Sequence, residues 1–155
     1  VAMGDVYPIR TVPVLTRKFA NPALRVEHRL KFGEALLKVA RGCGETLPAH
    51  KQLFLPPMLQ GARDDNEMVR ASSLANLGTL CELLRFSLHG VLHEVLECLT
   101  AVLQTDRHQE PRRAAMLVFT ELLRGLKSDL FDVLGDRLAA TVRLLRQVED
   151  GDTDE

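Results

Sequence analysis

The chain has no tryptophan, a single tyrosine and aromatic residues at only 5% of its 155 positions. That is too little aromatic content for a typical sheet core, and nothing interleaves aromatics with basic residues as a base-stacking surface requires. Long apolar runs are also missing: no stretch approaches the roughly 18 uninterrupted apolar residues of a membrane span. No membrane insertion by this segment is therefore expected, and Val1 to Asp5 form no secretion signal. Cysteine is scarce. Cys43, Cys81 and Cys98 are odd in number and contain no Cys-x-x-Cys pair, which argues against a disulfide scaffold and predicts buried reduced thiols in a cytosolic or nuclear setting. Nor is there an excess of one charge, with 20 basic against 21 acidic residues. No nucleic-acid footprint is expected.

What is present is ordinary for a globular chain: 46% apolar and 26% charged residues, in a length that lets folding bury about two-thirds of the exposed surface. Leu, Ala, Arg and Glu predominate, so an all-α fold is the expectation. The acidic residues are unevenly placed. Glu149, Asp150, Asp152, Asp154 and Glu155 close the chain, leaving 20 basic against 16 acidic residues in the rest. Residues 149–155 are expected to be an acidic disordered tail. The start, which lacks an initiator Met and passes quickly into Val6, Tyr7, Ile9, Val12 and Leu15, reads as an excised fragment whose first helix has lost a neighbour.

Internal periodicity is the most informative signal. The segment from Asp64 through Val69, Arg70, Leu74 and Leu77 to Gly78 resembles the HEAT pattern: an Asp-bearing turn, then Val-Arg and a small residue, then Leu-Gly. Asp106 through Arg112, Ala115 and Phe119 repeats it, and Asn21-Pro22 through Arg29, Phe32 and Leu36 is a weaker copy. Arg29 to Arg70 is 41 residues and Arg70 to Arg112 is 42, within the HEAT/armadillo period and longer than the tetratricopeptide or ankyrin one. The predicted architecture is an all-α HEAT/armadillo-like solenoid. Its helix pairs occupy about 6–43, 47–86 and 88–127, and a capping helix occupies 129–148.

Helical spacing places Leu74, Leu77, Leu80, Cys81 and Leu84 on one face of the second inner helix, and Ala115, Leu117, Val118, Leu122 and Leu126 on that of the third. Asn21-Pro22, Asp64-x-x-Glu67 and Asp106-x-x-Gln109 have the spacing of helix starts, and Ser87 and Ser128 can cap outer helices. Gly42-Cys43-Gly44 reads as a helix end. Pro56-Pro57 removes two backbone donors and predicts a break in the outer helix of the second repeat.

Residues that could carry chemistry do not assemble. His89 and His93 have the i, i+4 spacing of helical zinc ligands but lack the Glu of His-Glu-x-x-His and any further ligand. Ser72-Ser73 lacks a nucleophile elbow, and Gly42-Cys43-Gly44 lacks the Walker spacing. No enzyme activity, metal or cofactor is expected. Lys38, Arg41 and Arg29 read as a solvated basic face. Asp64, Arg70, Asp106 and Arg112 share a six-residue Asp-to-Arg spacing and are assigned to a ladder that fixes the angle between successive pairs. Ala23 stands at the acidic position of the first repeat, which argues against a ladder contact there.

With the repeat in place, Arg29-Leu30-Lys31-Phe32-Gly33-Glu34-Ala35-Leu36-Leu37, Gly44-Glu45, the run VRASSLANLGTLC from Val69 to Cys81, and Arg112-Arg113-Ala114-Ala115 resemble, in this order, the C-terminal region of a family of large HEAT-repeat proteins of Golgi organisation and RNA polymerase II nuclear transport. The resemblance covers about Val6 to Val148. It implies protein partners such as RNA polymerase II subunits, nuclear transport or assembly factors and Golgi trafficking factors, and a cytoplasmic location with nuclear or Golgi-peripheral association. It brings no catalytic residues. The leading expectation is a binding scaffold in which Lys31, Glu34, Lys38, Glu82, Arg85, Glu121 and Arg124, on the inner helices, meet a protein partner. The alternative is a structural cap of a larger solenoid with no partner contact of its own.

Overall fold

The computed structural model describes the backbone of residues 2–134 and 136–153, and the side chains of 7–85, 87–125 and 142–151. Seven α-helices follow one another within these residues: α1 (Ala2–Ala20), α2 (Val26–Cys43), α3 (Leu47–Gly61), α4 (Glu67–Leu84), α5 (Leu92–Thr105), α6 (Gln109–Leu134) and α7 (Asp136–Thr153). Short 3-10 segments, Gly44–Thr46 and Arg85–Leu88, link the pairs. Each of α1/α2, α3/α4 and α5/α6 packs as a pair, and α2, α4 and α6 lie side by side as one layer. α1 and α3 adjoin in the layer behind, and α7 rests on α5 and α6. The chain is an all-α solenoid.

One continuous core runs through the stack. Phe19, Phe54, Phe119, Leu36, Leu74, Leu77, Leu80 and Leu99 are almost fully buried, with Val118 and Leu122 close behind. Burying each such side chain contributes about 1.5–3 kcal/mol. Leu117, assigned from spacing to the inner face of α6, is instead 60% exposed, because the buried stripe follows Ala115, Val118, Phe119 and Leu122. Tight contacts set the helix separation: a Cβ at Gly61 would fall 2.0 Å from Ser73 Oγ and 2.9 Å from Phe19, and one at Gly33 would fall 2.9 Å from Phe19. Ser73 and Gly61 thus let α3 and α4 touch along their backbones.

Several boundaries differ from the sequence reading. α3 continues through Pro56 and Pro57 without a break. Phe54, Leu55, Pro57 and Met58 are all buried there, and the apolar packing on both sides offsets the two missing donors. Ser128 lies inside α6, so the capping helix begins at Asp136 rather than near residue 129. Ser87 lies within the 3-10 segment, and α5 starts at Leu92 with Val91 as its uncapped N-terminus. Residues 149–153, expected as a disordered tail, continue α7 to Thr153, since extending an existing helix costs far less than nucleating one; Asp154 and Glu155 lie outside the described residues.

The turns between paired helices also use different caps. Asn66, not Asp64, caps α4, its Oδ1 accepting from Met68 N at 2.9 Å and Val69 N at 3.2 Å. Asn21 makes a local turn by accepting from Ala23 N at 3.0 Å, and α2 starts only at Val26. Gly44 ends α2 with φ 55°, a conformation suited to glycine.

Candidate functional site

Each inner helix carries an arginine in its first turns, and two of them reach forward to the acidic turn of the next pair. Arg29 (α2) forms a two-pronged pair with Asp64: Nη1 donates to Oδ1 at 3.2 Å and Nη2 to Oδ2, while Nε donates to Phe19 O at 2.8 Å. Arg70 (α4) does the same with Asp106, Nε to Oδ2 at 2.6 Å and Nη2 to Oδ1 at 3.2 Å. Its Nη1 also donates to Asp64 O and Asp65 O, each at 3.0 Å. Arg112 (α6) donates to Leu103 O at 2.8 Å and Asp106 O at 3.2 Å. The rungs therefore run from the arginine of one repeat to the aspartate of the next, with each guanidinium also tying down backbone carbonyls of its own pair. Such bidentate geometry fixes orientation as well as distance.

Two corrections follow. Arg29, read as part of a solvated basic face, is 3% exposed, and the first repeat does make a rung. Its missing carboxylate is irrelevant to that contact because Arg29 reaches to the second repeat. The turn geometry also shows that Ala23 is not the position equivalent to the aspartates. Asp64 Oδ1 accepts from Asn66 N and Asp106 Oδ1 from His108 N, two residues on, and Asn21 does this in the first turn. The repeated spacing of Arg29, Arg70 and Arg112 was the signal that could have placed Arg29 in the series.

The rung carboxylates are electrostatically held. Burial pushes the Asp64 carboxyl up, but the Arg29 guanidinium, the Asn66 N–H and the Arg70 charge outweigh it and keep its pKa below the ordinary 3.8. Burial likewise raises Asp106, and Arg70 and His108 more than offset this. His108 borders the second rung, accepting from Arg70 Nη2 at 2.9 Å on Nδ1, with Nε2 at 3.5 Å from Glu67.

Toward the end of α4, alongside the middle of α6, an open groove of about 580 Å³ lies between the two helices. They touch at Gly78, where a Cβ would lie 2.9 Å from Val118, and beyond it Cys81, Leu88, Val118 and Leu122 provide an apolar floor. The rim carries Glu82 and Arg85 from the α4 side and Glu121 and Arg124 from α6. All four are exposed, and among the described residues none has a hydrogen bond or ion pair to its side chain. Lys31, Glu34 and Lys38 are exposed on α2 and do not line this groove. Of the seven residues assigned to a partner surface, four converge on one feature.

The remaining chemistry is quiet. His89 lies beside the groove, and His93 sits on α5, 3.2 Å from Glu97. Among the described residues no cluster of His, Cys, Asp and Glu could hold a metal ion, and no helix is long and apolar enough to cross a membrane. Burial pushes the Cys81 thiol up to about 12 and raises Cys98 as well, so neither presents a thiolate near neutral pH.

Stacked helix pairs joined by arginine–aspartate rungs define an all-α, HEAT-like solenoid, and the HEAT repeat family model matches residues 54–84, from within α3 to the end of α4. No solved structure matches significantly. Transport and Golgi organization protein 6 of Drosophila melanogaster is 34% identical over 135 residues, which is 87% of this chain and 14% of that protein. The chain is similar to that protein over most of its own length and spans about one-seventh of the length of that relative.

Proposed function

We infer that the chain is a non-catalytic adaptor whose α4–α6 groove holds a segment of a protein partner. One observation carries this: four exposed charged side chains with no partner among the described residues, Glu82, Arg85, Glu121 and Arg124, rim an open groove above the apolar residues Cys81, Leu88, Val118 and Leu122. A buried apolar centre with a polar rim is the usual anatomy of a protein interface. HEAT stacks in general present extended surfaces to other proteins. Lys31, Glu34 and Lys38, on the neighbouring α2, extend the contact for a larger partner.

The partner classes suggested by the resemblance are RNA polymerase II subunits, nuclear transport or assembly factors and Golgi trafficking factors, met in the cytoplasm, at the nuclear boundary or at the Golgi periphery. The name of the Drosophila relative supports the transport and Golgi part of this reading; the polymerase part rests on the sequence resemblance. The test is affinity capture by the isolated chain and by a variant with all four rim charges reversed, scored for polymerase subunits, import factors and Golgi coat proteins. Capture by the chain and loss in the variant supports the adaptor. If neither captures them while a longer protein lacking this segment does, the segment is a structural cap, the reading that the tightly tied ladder favours.

A further inference from the structure

Resting on the groove reading above, we propose that the groove's occupant is a peptide segment of a partner protein in which an apolar residue is followed by an acidic side chain, the carboxylate being gripped by Arg85 and Arg124. The charges on the rim are sorted along the groove. Arg70 at the start of α4 pairs with Asp106 just before α6, and Gly78 meets Val118, so the two helices run in the same direction. Glu82 and Glu121 then stand nearer the Gly78–Val118 contact, and Arg85 and Arg124 about one turn further along the helices. His89 joins the two arginines. An anionic group is attracted to the arginine side of the groove and repelled from the glutamate side, while the preceding side chain lies over the apolar floor. Guanidinium pairs are well suited to a carboxylate.

The backbone gives a second argument. Arg85 ends α4 with φ 44° and ψ −113°, and Gly44 ends α2 with φ 55° and ψ −126°. Their separation is 41 residues, the same as Arg29 to Arg70. They are equivalent positions in successive repeats, and Arg85 alone of the non-glycine residues described has a positive φ. A side chain is kept where the conformation suits glycine, and it is kept at the mouth of the groove. Strain retained at such a place points to use of the side chain.

Arg85→Gly separates binding from folding, because glycine relieves the backbone while deleting the guanidinium. Gly125 gives a second handle: it lines the groove and a Cβ there meets nothing within 4 Å, so Gly125→Trp is the groove-filling variant, with its thermal unfolding measured beside the wild type to show that it folds. The experiment selects peptides from a displayed random library on the wild-type chain, then measures the affinity of synthetic copies for both variants. The expected result is enrichment of an apolar residue followed within a few positions by Asp or Glu, binding abolished by Gly125→Trp and weakened about tenfold or more by Arg85→Gly. Peptides blocked by Gly125→Trp that show no acidic preference, or that bind Arg85→Gly normally, would overturn the acidic occupant and leave the groove reading standing. Failure to select any peptide sensitive to Gly125→Trp would overturn both.

Discussion

The two joints between repeats are alike at one end and different at the other. Where the inner helices begin, each joint is closed by an arginine–aspartate rung. Arg29 is the more deeply placed: its side chain is 4% exposed against 13% for Arg70. Where the inner helices end, Gly44 lets the first joint turn without strain, whereas the second turns at Arg85 beside an open groove. A solenoid needs the closed ends to fix its geometry, and it can vary the other ends without disturbing the stack. The difference locates rigidity at the turns and leaves the opposite rim to the proposed partner.

Removing the more deeply buried rung arginine should have the largest effect. Arg29→Ala leaves Asp64 without its main countercharge and Phe19 O without its Nε donor, and is expected to cost about 3–5 kcal/mol, as for a buried pair losing one partner. Arg70→Ala removes the more exposed arginine, and Asp106 keeps its contacts with His108, so it should cost less, about 2 kcal/mol. Urea unfolding of both variants checks the order; equal losses would mean that the two joints do not differ in rigidity. Gly61→Ala probes the close approach within the second pair. Its new methyl overlaps Ser73 Oγ, so α3 and α4 must separate, at an expected cost of about 2–3 kcal/mol.

Acid should loosen both rungs together. The folded pKa values of Asp64 and Asp106 lie below 3.8, so the native state holds their protons less readily than the unfolded chain. The stability they contribute is fully present above the unfolded value and is lost as pH falls through the folded ones. The urea midpoint should therefore drop between about pH 5 and about pH 3, with a smaller drop in the Asp64→Asn, Asp106→Asn double variant. A double variant with the full wild-type drop would assign acid sensitivity to other carboxylates.

The all-α class and its period were legible because helical spacing and a 41- and 42-residue recurrence of arginine survive in a single sequence. The helix ends were less so. Pro56-Pro57 signalled a break from local chemistry, and burial of Phe54, Leu55 and Met58 overrode it. Arg29 looked like surface from its basic neighbours Lys38 and Arg41, because nothing local reveals that Phe19 O and Asp64 will close over it. The groove was partly legible: helical spacing put Glu82, Arg85, Glu121 and Arg124 on an inner face, but their convergence depends on the contact of Gly78 with Val118. The strain at Arg85 could have been suspected only by aligning it with Gly44 one period earlier.

That alignment yields the smallest effect and the sharpest use of the comparison. If the two helix ends adopt the same backbone for the same topological reason, residue changes at them should have opposite signs. Gly44→Ala forces a Cβ into a positive-φ position and should destabilise the chain by about 1 kcal/mol. Arg85→Gly removes such a strain and, although it frees the unfolded chain, should stabilise by up to about 1 kcal/mol. Thermal unfolding of the two variants measures both signs. A loss of stability in Arg85→Gly would mean that the arginine side chain contributes to packing in the free protein, and its strained backbone would no longer argue for a role in holding a partner.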